Sequence, residues 1–279
     1  MRAFQEARGL RADGVCDETT WAALIEANWD FGDRLLYLTS PNLRGDDVSE
    51  LQTRLARLGF DCGRVDGILG PRTAAALSEF QSNCGLPADG VCGPTTVRSI
   101  LLVSSQTGDG PGVGVVRERE RLREAAGSLA RCRIVVGQFG GLSALTRVLA
   151  RQLRLKGATV ITLDEPDVIA QARAANQFTA DAYLGFEPST EPAAIAHFYR
   201  VPTFESIGGR ALAESVANEI RVIDGFHPEV VGMRLPILRE TKMPAVLVTI
   251  GSARAVSDAS NELVEGVLRA FEQWISRVA

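Results

Sequence analysis

The sequence of 279 residues predicts an α/β protein in which small all-α three-helix repeats precede an α/β domain with a mostly parallel sheet. Three observations predict this fold. A stretch of the first hundred residues recurs at a fixed offset, residues 103–114 are rich in Ser, Gly and Pro, and β-rich runs alternate with helical patterns from Arg133 onward. The predicted domains are a partial repeat at 1–30, a repeat domain at 41–103, a linker with a charged helix at 104–131, and the α/β domain at 132–279.

Internal repetition dominates the first hundred residues. The stretch FQEARGLRADGVCDETT from Phe4 recurs as FQSNCGLPADGVCGPTT from Phe80, at an offset of 76, and VDGILGPRT from Val65 is a shorter third copy. Each copy has an Asp-Gly pair that predicts a tight turn, because Gly accepts positive φ, and a Thr seven residues after the Asp. The pairs are Asp13 and Gly14, Asp66 and Gly67, and Asp89 and Gly90.

Helices are predicted between these turns. Pro71 and Pro94 each follow a Gly and suit the first position of a helix, where the missing N–H costs nothing. Asp47 and Glu50 are placed as a capping box for the helix that they begin. Apolar residues at helical spacing predict three stripes around one small core: Val48, Leu51, Leu55 and Leu58; Leu77, Phe80 and Cys84; and Val97, Ile100 and Leu101.

These residues resemble the peptidoglycan-binding repeat of cell-wall hydrolases. The resemblance rests on Leu51-Gln52, Leu58-Gly59, Asp66-Gly67, Phe80-Gln81 and Asp89-Gly90, and it covers residues 47–102 in full. Residues 1–27 match only the second half of a repeat, so its first helix is expected upstream of Met1. The resemblance implies that peptidoglycan fragments are partners, with the Asp-Gly turns serving structure rather than contacting the ligand.

From Arg133 the pattern predicts alternating strands and helices. Strand–helix alternation favours a parallel sheet that is covered on both faces. The predicted strands are Ile134–Val136, Thr159–Leu163, Ala182–Phe186, Ala196–Tyr199 and Ala245–Ile250. The predicted helices are Leu142–Lys156, Asp167–Gln177, Gly209–Asp224 and Ser260–Val278.

This part of the chain resembles the zinc-dependent N-acetylmuramoyl-L-alanine amidases. The residues that carry the resemblance are IVVGQFGG at 134–141, Ala175-Asn176, Ala180-Asp181 and LPILRETKMPAVLVTIG at 235–251. Their order and spacing cover nearly all of residues 133–279. The resemblance implies an amidase-like fold.

The resemblance also implies where the chemistry of such an amidase belongs. The reaction needs Zn²⁺ held by two His and one Glu, and a further Glu that transfers the proton. Phe139 stands at the first His, Glu187 at the second His and Thr249 at the catalytic Glu, while no Asp or Glu occurs between Arg133 and Asp164 to supply the ligand Glu. We therefore predict a pseudoenzyme with no catalytic residue, no metal and no cofactor.

The chain has two histidines, and neither lies at a motif position. His197 is predicted to be a packed or surface residue of a strand, and His227 is predicted to lie in a loop before Pro228. Thr249 as a nucleophile is disfavoured because no motif brings a His to it.

Composition excludes several classes of function. A formal net charge of −4 argues against a nucleic-acid-binding surface, and no apolar run is long enough to span a bilayer. The five cysteines contain no C-x-x-C pair, which favours a reducing compartment, and the first residues show no signal-peptide pattern. These observations predict a cytoplasmic location.

A chain with peptidoglycan-binding repeats and an amidase-like domain that lacks the metal ligands resembles a group of actinobacterial amidase-like proteins. That resemblance implies a cytoplasmic regulator of peptidoglycan precursor synthesis, which acts on the enolpyruvyl transferase MurA under the control of a Ser/Thr kinase. Two alternatives stay open: a muropeptide-binding module without a regulatory role, and an atypical N-acetylmuramoyl-L-alanine amidase. Drift in a dispensable domain would leave the same pattern.

Overall fold

The computed structural model describes residues 1–104, 118, 128–190, 193–223 and 225–278. The chain forms two compact units, one made of Met1–Arg117 with Pro202–Phe204, and the other of Glu118–Val201 with Glu205–Ala279. Most of the predicted linker and its charged helix, at 104–131, lies outside the described residues.

The first unit is helical. Pro71 and Pro94 begin helices, as the sequence predicts. Two isolated antiparallel bridges, between Leu36 and Cys92 and between Arg44 and Ile68, join the turns. The helices are α1 (Arg2–Ala7), α2 (Glu18–Glu26), α3 (Asp46–Arg57), α4 (Pro71–Asn83) and α5 (Pro94–Ser104).

One small core holds α3, α4 and α5 together. The predicted stripes supply most of its side chains. Cys84 and Leu101 are exposed, so the predicted burial is wrong for these two residues. Both lie at the ends of their stripes, where a helix turns its side chains out of the shared core. The side chains of the core that are fully buried include Leu36, Val48, Leu51, Leu55, Leu69, Leu77, Phe80 and Ile100.

The predicted capping box at α3 is wrong. The helix begins at Asp46 after Gly45, so Asp47 lies inside its first turn rather than before it. The buried Asp47 carboxylate instead accepts two hydrogen bonds from the Arg34 guanidinium, at 2.6 and 3.1 Å. Glu50 forms an ion pair with Arg54 one turn later, at 2.6 Å. Asp47 thus binds Arg34, which is distant in sequence, instead of capping the helix.

The second unit is built on a seven-stranded sheet with the order β2-β1-β3-β7-β4-β5, and β6 pairs with β4. The pairs β1–β2, β1–β3, β3–β7 and β4–β6 are parallel, and β4 runs antiparallel to β7, so the sheet is mostly parallel as predicted. The strands are β1 (Arg133–Gln138), β2 (Thr159–Leu163), β3 (Ala182–Pro188), β4 (Ala193–Val201), β5 (Phe204–Glu205), β6 (His227–Met233) and β7 (Ala245–Ile250).

Helices connect and cover these strands. Four of them were predicted from periodicity, and the short ones before and after β7 were not. In chain order they are α6 (Ser143–Leu155), α7 (Val168–Gln177), α8 (Ile207–Ile220), α9 (Pro236–Glu240), α10 (Ala253–Asp258) and α11 (Ser260–Val278).

The strand β6 corrects the prediction that His227 lies in a loop. His227 begins the strand, and Pro228 is the register partner of Ala194. A proline is tolerated in β6 because, among the strands that the structure describes, this one pairs with β4 alone. The Pro therefore marks an edge strand rather than the absence of a strand.

The two faces of the sheet are both covered. Alternate residues of each strand point to one face, where Val136, Phe186 and Val248 belong to a large apolar core that includes residues of α6, α8 and α11. The residues between them, among them Val135 and Tyr183, are buried on the opposite face. The carboxyl ends of β1, β3 and β7 meet at one edge of the sheet, which in parallel α/β folds is the usual position for a site.

Candidate functional site

Phe139, Glu187 and Thr249 lie side by side at the carboxyl edge of the sheet. Gln138 is the register partner of Phe186, and the Phe139 amide donates to the Phe186 carbonyl at 2.8 Å, so Phe139 lies beside Glu187. Glu187 is in turn the register partner of Thr249. Adjacent strands lie about 4.8 Å apart, so three positions that are distant in sequence form one short row. We call these three residues the edge row; each is partly buried.

The chemistry of the edge row does not fit a zinc ion. Zn²⁺ takes four ligands with N, S or carboxylate O donors, three of them from the protein in catalytic sites. The row offers one carboxylate from Glu187, a neutral hydroxyl from Thr249 and a phenyl ring from Phe139. Across the described residues, no group of three or more His, Cys, Asp or Glu could hold a metal.

The structure brings His197 to Thr249, which the sequence did not predict. His197 Nε2 lies 3.2 Å from Thr249 Oγ1, and the imidazole is largely buried. Ile195 is the register partner of Thr249 and His197 that of Leu247, so the contact runs diagonally between β4 and β7. No motif joins these residues, because their contact depends on β4 running antiparallel to β7.

A buried tyrosine supports the sheet beneath the edge row. Tyr183 is fully buried, and its hydroxyl donates to the side-chain carbonyl of Gln171 on α7. Gln171 Nε2 donates to the Glu165 carbonyl at 2.7 Å. Burial raises the pKa of Tyr183, so the phenol stays neutral and acts as a donor. A Cβ at Gly137 or Gly185 would overlap the Tyr183 ring or hydroxyl, which explains both glycines.

The turn that carries Phe139 is fixed by its neighbours. Gln138 accepts from the Leu142 amide at 2.8 Å, and its side-chain amide donates to Asp164. Gly140 and Gly141 follow Phe139 with φ values of 82° and 91°, which favour glycine. The turn therefore holds the backbone of Phe139 at a defined position on the edge of the sheet.

The Asp-Gly pairs of the repeats form a separate constellation, and each is organised by a buried glutamine. In the copy at Val65, Gln52 Nε2 donates to Asp66 Oδ1, to the Ile68 carbonyl and to Thr73 Oγ1, at 2.9, 3.1 and 3.2 Å. Gln52 Oε1 accepts from the Gly67 amide at 2.8 Å. One side chain thus ties the turn to the helix that follows it.

The same set of hydrogen bonds recurs in the other two copies. Gln5 serves the turn at Asp13 and Gly14, and Gln81 serves the turn at Asp89 and Gly90; the remaining partners are Val15, Thr20, Val91 and Thr96. Hydrogen bonds from the Val15 and Val91 amides lower the pKa of Asp13 and Asp89. The Asp-Gly residues are therefore engaged inside the turns. The sequence shows the repeated Gln but not its role as the hub.

Known proteins match both parts of the chain. Residues 44–100 match a family described as a putative peptidoglycan binding domain. N-acetylmuramoyl-L-alanine amidase CwlM of Mycobacterium tuberculosis is 32% identical over 314 aligned positions, which cover 98% of this chain and 77% of that protein. The chain belongs to the CwlM family. It combines a peptidoglycan-binding domain with an amidase-like α/β domain.

Other relatives match single parts of the chain. A probable N-acetylmuramoyl-L-alanine amidase of Bacillus licheniformis is 32% identical over 36% of this chain and 32% of its own length. A spore cortex-lytic enzyme of Bacillus cereus is 47% identical over 20% of this chain and 22% of its own length. Among solved structures, the amidase Ami1 of Mycobacterium smegmatis is similar with a TM-score of 0.43 and 11% identity, over 54% of this chain and 100% of that one.

Proposed function

We propose that this CwlM-family chain is a catalytically inactive regulator of peptidoglycan precursor synthesis. The observation that carries the proposal is the edge row, where Phe139, Glu187 and Thr249 occupy neighbouring strand ends. The zinc amidases need two His and a catalytic Glu at these positions. Phe139 and Thr249 supply neither a zinc ligand of the required kind nor a general base at neutral pH, and the carboxylate of Glu187 is one ligand where a catalytic zinc needs three from the protein.

The ordered structure that supports the edge row favours a surface that binds a partner. The Tyr183–Gln171 hydrogen bond and the glycines beneath it keep the edge in place. Glu187 carries a partly buried carboxylate for which the described residues provide no hydrogen bond or ion pair. Thr249 and His197 add donors and acceptors beside it. Such a surface suits recognition of a polar partner rather than hydrolysis.

The partner is proposed from the family resemblance. That resemblance supports the enolpyruvyl transferase MurA as the proposed target, a Ser/Thr kinase as the proposed source of control, and the cytoplasm as the proposed location. Among the described residues no helix is both long and apolar enough to cross a membrane. The proposed division into 1–30, 41–103, 104–131 and 132–279 assigns the regulatory surface to the last of these segments.

The first test is the turnover of MurA from the same organism, with and without an excess of this chain. We expect a saturable increase in rate. A Glu187→Gln variant should weaken the effect if the edge row contacts MurA, whereas Val222→Asp, at an exposed position of the same unit, should leave it unchanged. No change in MurA turnover with either the unmodified or the kinase-treated chain would refute the regulatory role.

Catalytic inactivity has its own test. The chain is incubated with muropeptides and added Zn²⁺, and release of the stem peptide is followed by mass spectrometry. We expect no cleavage above that of buffer, because the edge row lacks the donors for the metal. Cleavage that a chelator abolishes would overturn the proposal and support an atypical amidase.

A second candidate function rests on the match of residues 44–100 to a putative peptidoglycan binding domain. In this alternative the chain binds muropeptides without any effect on a biosynthetic enzyme. It predicts saturable binding to soluble peptidoglycan fragments that survives Glu187→Gln and disappears when residues 41–103 are unfolded. Calorimetric titration of the full chain with these fragments separates the two functions.

A further inference from the structure

The edge row continues across the sheet to β4 and β6. Thr249 is the register partner of Ile195 on β4, and Ile195 is in turn the register partner of Glu229 on β6. Register partners point to the same face of a sheet, so five adjacent strands each place one side chain in a single line. We call Phe139, Glu187, Thr249, Ile195 and Glu229 the extended row.

The extended row lies on the face of the sheet opposite the large apolar core. Its chain neighbours Phe186, Val248 and Ala194 belong to that core. The members of the row are partly buried, except Glu229, which is exposed. A partner can therefore reach the side chains of the row from solvent.

The extended row contains two carboxylates without a partner. Within the described part of the chain, neither Glu187 nor Glu229 has a hydrogen bond or an ion pair. A carboxylate that has lost part of its hydration, as Glu187 has, is stabilised by a cation. Three strand intervals of about 4.8 Å separate the two positions, which places them about 14 Å apart. Thr249 and Ile195 lie between them.

The charge around the extended row is also negative. At the same edge of the sheet, the segment after β2 carries the exposed Asp164, Glu165 and Asp167. The segment after β7 carries the exposed Arg254. Carboxylates thus outnumber cations among the described residues at this edge, which favours a positively charged partner.

The chain itself shows what binds a carboxylate beside an aromatic ring. In the first unit, Arg34 Cζ lies 4.8 Å from the centroid of the Trp29 ring, and the guanidinium donates to both oxygens of Asp47. In the extended row, Phe139 and Glu187 supply an aromatic side chain and a carboxylate at neighbouring positions. Arginine is the cation that combines both contacts best, because its planar guanidinium pairs with carboxylates and stacks on rings.

We propose that the extended row binds an extended basic segment of a partner protein, with the pattern basic-x-aliphatic-x-basic. In an extended chain, residues i and i+4 point to one face and lie about 13 Å apart, which matches the spacing of Glu187 and Glu229. The aliphatic side chain at i+2 then lies over Thr249 and Ile195. This inference rests on the proposed regulatory surface, and it names the chemistry of the partner that the surface recognises.

The test is an NMR titration of the full chain, labelled at its isoleucine methyl groups, with the synthetic peptide Ser-Arg-Ser-Leu-Ser-Arg-Ser. We expect a saturable shift of the Ile195 signal, which Ile195→Val assigns, and no shift of Ile25, which is exposed on the first unit. The control peptide Ser-Ser-Arg-Arg-Leu-Ser-Ser has the same composition. It should bind at least about threefold more weakly, because its adjacent arginines point to opposite faces.

Single substitutions test the two carboxylates. Glu187→Gln and Glu229→Gln keep the size of the side chain and remove its charge. Each should weaken binding of the first peptide about threefold to fivefold, the range for an ion pair that is not fully buried. Glu265→Gln is the matched control, because Glu265 is an exposed carboxylate on α11, and it should leave the affinity unchanged. No Ile195 shift, equal affinity for the two peptides, or unaltered affinity in both Gln variants would each overturn the proposal.

The peptide titration contains no MurA, so its result is independent of the proposed regulation. In the MurA assay, Glu229→Gln should lower the stimulation as Glu187→Gln does. Stimulation that both variants leave intact would overturn this inference while the regulatory role stands. Specific peptide binding without any stimulation of MurA would refute the regulatory role and support the preference of the extended row for basic segments.

Discussion

Replacing Gln52 with Ala should destabilise the first unit strongly. Gln52 is 1% exposed, and its side chain forms five hydrogen bonds, to Asp66 twice and to Gly67, Ile68 and Thr73 once each. Each such bond contributes about 1 kcal/mol net, and a buried amide left without a partner costs more. Partial replacement by water offsets some of this loss. We expect the free energy of unfolding to fall by about 3 kcal/mol.

The assay is urea denaturation of the full chain, followed by circular dichroism and by hydrogen exchange of residues 41–103 with mass spectrometry. Exchange assigns the loss to the repeat rather than to the α/β unit. Thr73→Val, which removes one hydrogen bond from the same set, should cost only about 1 kcal/mol. A loss below about 0.5 kcal/mol for Gln52→Ala would show that the glutamine hub is not a stabilising element and refute the reasoning.

Three further predictions follow from single contacts. Arg34→Lys should cost about 1–3 kcal/mol in urea unfolding, because an ammonium cannot make both hydrogen bonds to the buried Asp47, and a neutral effect would contradict that geometry. Hydrogen bonds, first that from the Val91 amide, hold the pKa of Asp89 below its ordinary value. Its contribution to stability is therefore present above that ordinary value and lost as pH falls through the lowered pKa, and Asp89→Asn should flatten this part of the stability–pH curve. Thiol reagents near pH 8 should label the exposed Cys16 and Cys84 first, since burial raises the pKa of Cys62 and Cys92 to about 12, and fast labelling of all cysteines would disprove the buried thiols.

Local sequence patterns predicted much of the fold. Thr159–Leu163 and Ala245–Ile250 match β2 and β7 to the residue, because β-rich runs bounded by turn residues fix their own limits. The sequence also predicted correctly that helices begin at Pro71 and Pro94. β6 was missed because Pro228 normally argues against a strand, and only the position at a sheet edge removes that objection.

The candidate site was predictable only where strand ends determine it. Phe139, Glu187 and Thr249 could be found by comparison with a family motif, and the parallel register then brings them together. The contact of His197 with Thr249 could not be predicted from the sequence, because it depends on the direction of β4. The hydrogen bond between Tyr183 and Gln171 is similarly invisible, because it joins a strand to a helix through a buried aromatic side chain.

Folding constrains the two constellations differently. In the repeats, the Gln, Asp and Thr side chains and the Gly amides form hydrogen bonds within the turns. Folding therefore explains why these residues recur, and their recurrence says little about a ligand. In the edge row, the partly buried side chains of Phe139 and Glu187 are not part of the network that Tyr183 and Gln171 form beneath them. Substitution there costs the fold little. We therefore expect substitutions in the edge row to alter the proposed function with little loss of stability, and substitutions of Gln5, Gln52 or Gln81 to lower stability.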